Sequence, residues 1–358
     1  MQDSIRTVII GTGSYLPERI LKNEAFLSNR FLDKNGQLIP KTNEAIVEKL
    51  AQISGIMERR YIGSEDTAEV AFRAAEKAIE DAGIDKESLD SVIVTHNFGQ
   101  INNECNLTSL IPNVASLVKN RLQIKNHRCV AIDLLFGCPG WVESLIHAHR
   151  MILCGDAKQV LVVGVEVISP ILDKHNMDSM LFGDGAGAVV VKGVESDEQI
   201  GILGYTTYSH SGEEVDYLKM ENSVNEEKGA SIYPKMNGRQ VYRYAVQKVP
   251  EAVNECLDKC HVKLEDVSKA LLHQANEKMI RAILEKLYQQ RGYDTFPESA
   301  LPLTVSRFGN SSVATIPTLL DMILHDQLPP HEINSGDHLI FASVGAGMHA
   351  NCLLYRMA

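Results

Sequence analysis

Cys129-Val130-Ala131-Ile132-Asp133-Leu134-Leu135-Phe136-Gly137-Cys138-Pro139-Gly140-Trp141-Val142 is the stretch on which the reading of this 358-residue chain turns. An apolar run of strand length, Val130 to Phe136, stops at Gly137. Apolar residues then recur at Trp141, Val142, Leu145, Ile146, Ala148, Ile152 and Leu153, the 3.6-residue period of a half-buried helix. Pro139 suits the first helical position, where its missing N–H has no partner to lose. Cys138 is therefore expected at a strand-to-helix turn, at or near the helix N-terminus. The macrodipole there favours a thiolate, and a thiol on such a turn has the geometry of an activated nucleophile. A buried structural role is the commoner fate of cysteine, and this stretch alone leaves both open.

Working outward, the two halves of the chain echo each other. Strand-like Val92-Ile93-Val94 matches Ala270-Leu271-Leu272, and Val160 to Val163 matches Leu339 to Ala342. Gly187 to Val191 matches Asn351 to Tyr355. Phe136-Gly137-Cys138-Pro139-Gly140 matches Phe308-Gly309-Asn310-Ser311-Ser312, and an apolar helix with Val313, Ile316, Leu319, Leu320 and Ile323 again follows. The offset is roughly 165–180 residues, far longer than a solenoid period. Two copies of one strand–helix module are expected, residues 1–196 and 197–358, each a mixed sheet covered by helices. If the copies bury a helix layer between them, the two Phe-Gly turns approach one pseudo-twofold axis. His273, in the loop after Ala270-Leu271-Leu272, joins them there. The repeat thus brings Cys138, Asn310 and His273 within reach of one another.

Other stretches carry weaker signals. Arg6 to Ile10 reads as a strand ended by Gly11-Thr12-Gly13, but Leu16-Pro17 follows instead of a helix, which rejects a dinucleotide site. Glu69 to Ala82 reads as a helix closed by Gly83, and Tyr244 to Lys259 as another. Residues 22–62 are mixed, and residues 97–113 read as a long polar loop of the kind that carries binding or interface functions. The glycines of Phe182-Gly183-Asp184-Gly185-Ala186-Gly187 precede a strand, so they fit close backbone packing better than a phosphate cradle.

The totals exclude several classes of function. The net charge of −11 argues against nucleic-acid or anionic-membrane partners. Seven cysteines include no C-x-x-C pair, which points to a reduced, cytoplasmic protein without a disulfide framework or a zinc or other metal site. No apolar run is long enough to span a membrane.

A cysteine nucleophile needs a proton acceptor or a positive field, and a donor to polarise a carbonyl. His273 and Asn310 supply these; the other histidines, His96 among them, read as structural. Backbone N–H groups of Cys138 and of the Gly345-Ala346-Gly347 turn are candidates for an oxyanion hole. Asn276, in His273-Gln274-Ala275-Asn276, reads as an orienting partner or a helix cap.

The pieces His273-Gln274-Ala275-Asn276, Phe308 to Pro317, Phe182 to Ala188 and Gly55-Ile56-Met57-Glu58-Arg59-Arg60 together resemble β-ketoacyl-acyl-carrier-protein synthase III, over essentially the whole chain. The resemblance implies an α/β thiolase fold, five-layered α-β-α-β-α with mixed sheets, and a homodimer. It implies a Cys138-His273-Asn310 triad with an oxyanion hole at the N–H groups of Cys138 and Ala346. The activity it implies is a decarboxylative Claisen condensation of an acyl thioester with malonyl-acyl carrier protein, in fatty acid or related lipid or polyketide synthesis. Neither cofactor nor metal is required; the substrates are CoA or phosphopantetheine thioesters. Acyl carrier protein is acidic, so docking needs a local basic patch, for which Arg239, Arg243, Lys278 and Arg281 are the candidates. Two rivals remain. One is a non-decarboxylating CoA-dependent acyltransferase, for which Glu104 is the only obvious acid and a poor match. The other is a partner subunit of a heterodimeric synthase, against which the complete triad argues.

The chain departs from the family where a Trp and an Arg sandwich CoA adenine; here Lys49 and Ile53 stand, after an extra polar stretch from Asp33 to Asn43. The primer is then free to arrive on acyl carrier protein instead. Val344 and Met348-His349-Ala350 replace the aromatics of the C-terminal loop, which points to a reshaped acyl pocket.

Overall fold

The computed structural model describes residues 5–102, 105–225, 227, 229 and 231–358. Two sheets carry the fold. In the first, β1 (Ile5–Tyr15), β2 (Ser91–Thr95), β3 (Val130–Leu134), β4 (Gln159–Glu166) and β5 (Gly185–Glu195) lie in the order β1-β5-β4-β2-β3. In the second, β6 (Gly201–Ser209), β7 (Val267–Leu272), β8 (His338–Gly345) and β9 (His349–Arg356) lie in the order β6-β9-β8-β7. Strand by strand, β6, β9, β8 and β7 occupy the places of β1, β5, β4 and β2. In both sheets the first two pairs in this order are antiparallel and the next pair is parallel. Among the described residues, the second sheet has no counterpart of β3. Leu301-Pro302-Leu303-Thr304, before the second Phe-Gly turn, forms no strand, and Pro302 lacks the N–H that a ladder needs.

Side-chain alternation along the strands builds the layers. Val160 and Val162 of β4 face a core shared with Leu339 and Phe341 of β8. Filling that core are the helices Gly140–Cys154 and Thr315–Leu324, through Trp141, Leu145, Ile316 and Leu320. Leu161 and Val163 face the other way, onto the helices Thr67–Asp81 and Val114–Arg121. Ala270, Leu272 and Ile340 likewise face the outer helices Gly238–Cys260 and Glu277–Gln290. The result is the expected α-β-α-β-α stack with mixed sheets. Its middle layer joins a helix from each half, and each of those helices follows a Phe-Gly turn.

Several local expectations are corrected. Strand β1 does not stop at Gly11-Thr12-Gly13 but runs on to Tyr15 with an irregularity after Ile9. A Cβ on Gly11 would sit 2.4 Å from the Ala82 nitrogen, and one on Gly13 2.5 Å from the Ala74 oxygen. These glycines therefore admit the neighbouring helix rather than end the strand. Within residues 22–62, Asn43–Ser54 is a helix, with Thr42 accepting from the Ala45 N–H at 3.3 Å. Its apolar residues Ile46, Val47, Leu50 and Ile53 have helical spacing. The helix expected from Tyr244 begins at Gly238, capped by Asn237. The polar 97–113 segment contains an antiparallel hairpin of Gln100–Asn102 and Cys105–Ser109; Glu104 lies outside the described residues.

Candidate active site

Cys138 is placed by the turn that ends the β3 segment. Gly137 takes φ 63°, a left-handed conformation that glycine adopts without strain. Its carbonyl accepts from the Gly140 N–H at 2.9 Å. Pro139 is the residue immediately before the helix Gly140–Cys154 rather than its first residue. Its carbonyl accepts from Asn351 Nδ2 of β9 at 3.1 Å, so the second half pins the start of the Cys138 helix.

Asn310 stands on the matching turn, after Gly309 with φ 65°. Its backbone is clamped by the first half: its N–H donates to Leu181 O at 2.9 Å and its carbonyl accepts from the Gly183 N–H at 3.0 Å. A Cβ on Gly183 would lie 2.4 Å from Phe308 O, so close packing is what that glycine serves. The Asn310 side-chain oxygen accepts from the Ser312 N–H at 2.8 Å, which leaves its NH2 as the donating end.

His273 follows β7, and its N–H donates to Ala342 O at 3.0 Å. Its ring Nδ1 lies 2.8 Å from Thr315 Oγ1. The Thr315 hydroxyl has a second acceptor within reach, Ser312 O at 2.9 Å, and its one proton serves either that carbonyl or Nδ1. When that hydroxyl donates to Nδ1, the imidazole proton resides on Nε2, the nitrogen left for a ligand. Burial holds the His273 pKa down at about 4, because a charged imidazolium loses its hydration there. The ring is neutral at neutral pH.

Cys138, His273 and Asn310 line one cavity of about 600 Å³. Leu50, Ile53, Leu181, Phe182, Met236 and Val344 give it apolar walls. The Gly345-Ala346-Gly347 turn closes over the sulfur: a Cβ on Gly345 would lie 2.5 Å from the Cys138 nitrogen, and one on Gly137 2.7 Å from the Ala346 nitrogen. The two N–H groups expected to form an oxyanion hole are thus on adjoining turns.

The sulfur departs from expectation. Burial pushes the Cys138 thiol up to about 12, and the Glu166 charge pushes the same way. Desolvation outweighs the helix N-terminus, and the resting side chain is a thiol. The Ser312 hydroxyl opposes the shift by donating to Sγ at 3.2 Å.

The four basic candidates separate. Arg239, Arg243 and Lys278 are exposed and line the cavity. Arg239 and Arg243 are one helical turn apart on Gly238–Cys260, so they share a face. Arg281 is outside this group. It is held by Glu277 at 2.9 Å and by Glu298 at 2.9 and 3.0 Å, away from the cavity lining. Asn276 proves to be a helix cap, its side chain accepting from the Met279 N–H at 2.8 Å, while still lining the cavity. Ile53, at the position expected to differ from a CoA-stacking residue, lines the cavity; Lys49 is exposed on the same helix.

Sequence reasoning missed four polar residues beside the triad: Asn97, Glu166, Ser312 and Thr315. Ser312 and Thr315 lie within the Phe308 to Pro317 motif and were legible as polar intruders in an apolar helix start. Glu166 ends β4, and Asn97 follows β2. These are parallel neighbours whose carboxyl ends open on the site. Glu166 is 1% exposed, and burial raises its pKa to about 7. Among the described residues, no cluster of three or more His, Cys, Asp or Glu could hold a metal ion, and no helix is long and apolar enough to cross a membrane.

The family model for 3-oxoacyl-[acyl-carrier-protein] synthase III matches residues 132–211, and the model for its C-terminal part matches residues 257–357. A β-ketoacyl-[acyl-carrier-protein] synthase III of Staphylococcus saprophyticus is 34% identical over 343 residues, 95% of each chain. That of Ruegeria pomeroyi is 32% identical over 98% of this chain and 99% of its own. The crystal structure of the Aquifex aeolicus 3-oxoacyl-[acyl-carrier-protein] synthase III superposes with a TM-score of 0.80 at 30% identity, over 98% of this chain and 99% of that one. The chain belongs to the 3-oxoacyl-[acyl-carrier-protein] synthase III family and is a thiolase-fold condensing acyltransferase of fatty acid synthesis.

Proposed function

We propose that the chain joins an acyl group, held as a thioester on Cys138, to the two-carbon unit of a malonyl thioester on acyl carrier protein. The observation that carries this reading is the single apolar cavity that contains a thiol from one half and an imidazole and a carboxamide from the other. Residues 1–196 supply the nucleophile and residues 197–358 supply His273 and Asn310.

In the first half-reaction the sulfur attacks the acyl carbonyl. A C–S bond forms, the incoming C–S bond breaks, and the Cys138 proton leaves on the departing thiol. The oxyanion formed on the way rests on the N–H groups of Cys138 and Ala346. In the second, His273 Nε2–H and Asn310 Nδ2 donate to the malonyl thioester carbonyl. The C–C bond to carbon dioxide breaks, and its electrons form the enolate that these donors hold. The carbanion then attacks the acyl-Cys138 carbonyl, expelling the sulfur and releasing a β-ketoacyl thioester. Neutral donors suit this step: a fixed cation would stabilise the carboxylate being lost as well as the enolate being formed. The low pKa of His273 supports that choice.

Arg239, Arg243 and Lys278 are the proposed docking cations for the acidic carrier; Arg281 is engaged elsewhere. The primer donor, CoA or carrier protein, is read from which thioester acylates Cys138. Two copies are proposed to associate along β3, an edge strand with Val130 53% and Ile132 41% exposed. An unpaired edge of this kind is a template for a second chain. Cys129, Cys138, Cys154, Cys256, Cys260 and Cys352 are free, which fits a cytoplasmic setting.

Carbon dioxide release from malonyl-acyl carrier protein tests the function. Release that depends on His273 is expected. A chain that acylates Cys138 but never decarboxylates malonyl-carrier protein is instead the non-decarboxylating type of acyltransferase.

A further inference from the structure

Ser312 touches the hydrogen-bonding arrangement of both Cys138 and Asn310, and it does so from a left-handed backbone. Its φ is 50°, a conformation rare outside glycine. Glycine would take that backbone without strain, so what serine adds at the position is its hydroxyl. The side chain is 4% exposed.

We propose that Ser312 couples the two half-reactions: its hydroxyl serves the sulfur of Cys138, and its backbone sets the direction of Asn310. This rests on the function proposed above. The Ser312 N–H holds the Asn310 side-chain oxygen at 2.8 Å, which sends the Asn310 NH2 outward as a donor. The Ser312 hydroxyl has one donor neighbour, Asn97, and two acceptor neighbours, Cys138 Sγ and the Glu166 carboxyl. It receives Asn97 Nδ2 at 2.8 Å, and its own hydrogen points to Cys138 Sγ at 3.2 Å. Asn97 is fixed in turn by Glu166, which takes its side-chain amide and, at 3.3 Å, its backbone N–H.

Charge develops on the sulfur as the thiol proton departs with the leaving thiol. A hydroxyl already aimed at that sulfur stabilises the charge without reorganising. The proton of Ser312 itself stays in place. The backbone contact acts on the other half-reaction and does not involve the hydroxyl. Removing the hydroxyl should therefore damage acyl transfer and spare decarboxylation. The titratable groups around the sulfur are Glu166 at the end of β4, His96 acting on Glu166 after β2, and His273 across the cavity. His96 and His273 keep their surroundings in the variants, whereas Glu166 also loses the Ser312 hydroxyl that lowers its pKa, so a change in the pH profile of Cys138 is read together with the titration of Glu166.

The test compares wild type, Ser312→Ala and Ser312→Gly in three assays. These are the rate of acyl-enzyme formation, alkylation of Cys138 by iodoacetamide across pH, and carbon dioxide release from malonyl-carrier protein without primer. Ser312→Gly keeps the backbone unstrained, so it reports on the hydroxyl even where the alanine variant folds poorly. Both variants are expected to acylate ~10–100-fold more slowly, the loss for a hydrogen bond to a charged group. The alkylation profile should move to higher pH, while decarboxylation stays within about twofold. Unchanged acylation and alkylation in Ser312→Gly overturns the proposal. So does an equal fall in all three assays, which would mark a purely structural residue. A wild type inactive in both half-reactions overturns the proposed function together with this role. An active wild type beside unaffected variants overturns the Ser312 role alone.

Discussion

The two Phe-Gly turns show how one backbone device serves two chemistries. Gly137 and Gly309 share nearly the same left-handed φ, 63° and 65°, and each is followed by the residue that faces the cavity. After Cys138 the helix begins within two residues, at Gly140. After Asn310 a 3-10 turn, Ser312–Ala314, precedes the helix at Thr315. That extra turn brings Ser312 to the sulfur and Thr315 to His273. Duplication fixes where the side chains meet; the residue on each turn, and the irregularity after it, decides what each contributes. The proposed nucleophile sits in the half with the regular helix start, and the proposed donors sit in the half with the distorted one.

The largest effect should come from removing the first turn's chemistry. Cys138→Ala is expected to lower condensation by ~10⁴-fold or more, as for other lost nucleophiles, while carbon dioxide release from malonyl-carrier protein persists. His273→Ala should do the reverse of sparing it: decarboxylation falls ~10²–10³-fold, the scale for losing one preorganised donor, and acylation of Cys138 survives. Retained decarboxylation in His273→Ala would remove that histidine from the second half-reaction and break the division between the halves.

A smaller effect tests the turns themselves. Gly309 has φ 65° and ψ −159°, a region reserved for glycine. Gly309→Ala should cost ~1–3 kcal/mol of stability, seen as a lower melting temperature. Gly137→Ala should cost a similar amount, and its Cβ, 2.7 Å from the Ala346 nitrogen, should also slow acylation. Equal acylation in both variants would separate the Gly137 turn from the oxyanion hole.

The smallest effect is a pair of opposed pH slopes. His273 has its pKa lowered to about 4, so the unfolded chain binds the extra proton. Its contribution to stability is present at neutral pH and is lost as pH falls from about 6.5 toward 4. Glu166 has its pKa raised to about 7, so the folded chain holds the proton. Its contribution is present below about 4.5 and is lost as pH rises toward 7. In wild type the two offset. Glu166→Gln should melt more readily at pH 5 than at pH 7, relative to wild type, and His273→Gln should show the opposite bias. Parallel pH curves for both variants would mean that one of these groups is not buried as described.

Most of this arrangement is legible in the sequence. Strand-length apolar runs, helical spacing after each Phe-Gly pair and their recurrence one half later gave the layers and the approach of Cys138, His273 and Asn310. What escaped was set by contacts between distant segments. The strand through Gly11 and Gly13 reads as broken because glycine marks turns and close approaches alike, and only the helix ending at Asp81 tells them apart. The 97–113 hairpin is polar on a scale that resembles a loop. The helix dipole promised a thiolate at Cys138, but burial beside Glu166 reverses it, and neither residue reveals the other along the chain. Ser312 carries no role that the chain order reveals, because its partners, Asn97 and Cys138, come from the other half.

The most direct measurement is the mass of the protein after incubation with acyl-CoA and acyl-carrier protein of varied chain length, followed by peptide mapping. The account predicts one acyl thioester, on the peptide containing Cys138 and absent from Cys138→Ala. No adduct with any donor, or an adduct on a different cysteine, would contradict it.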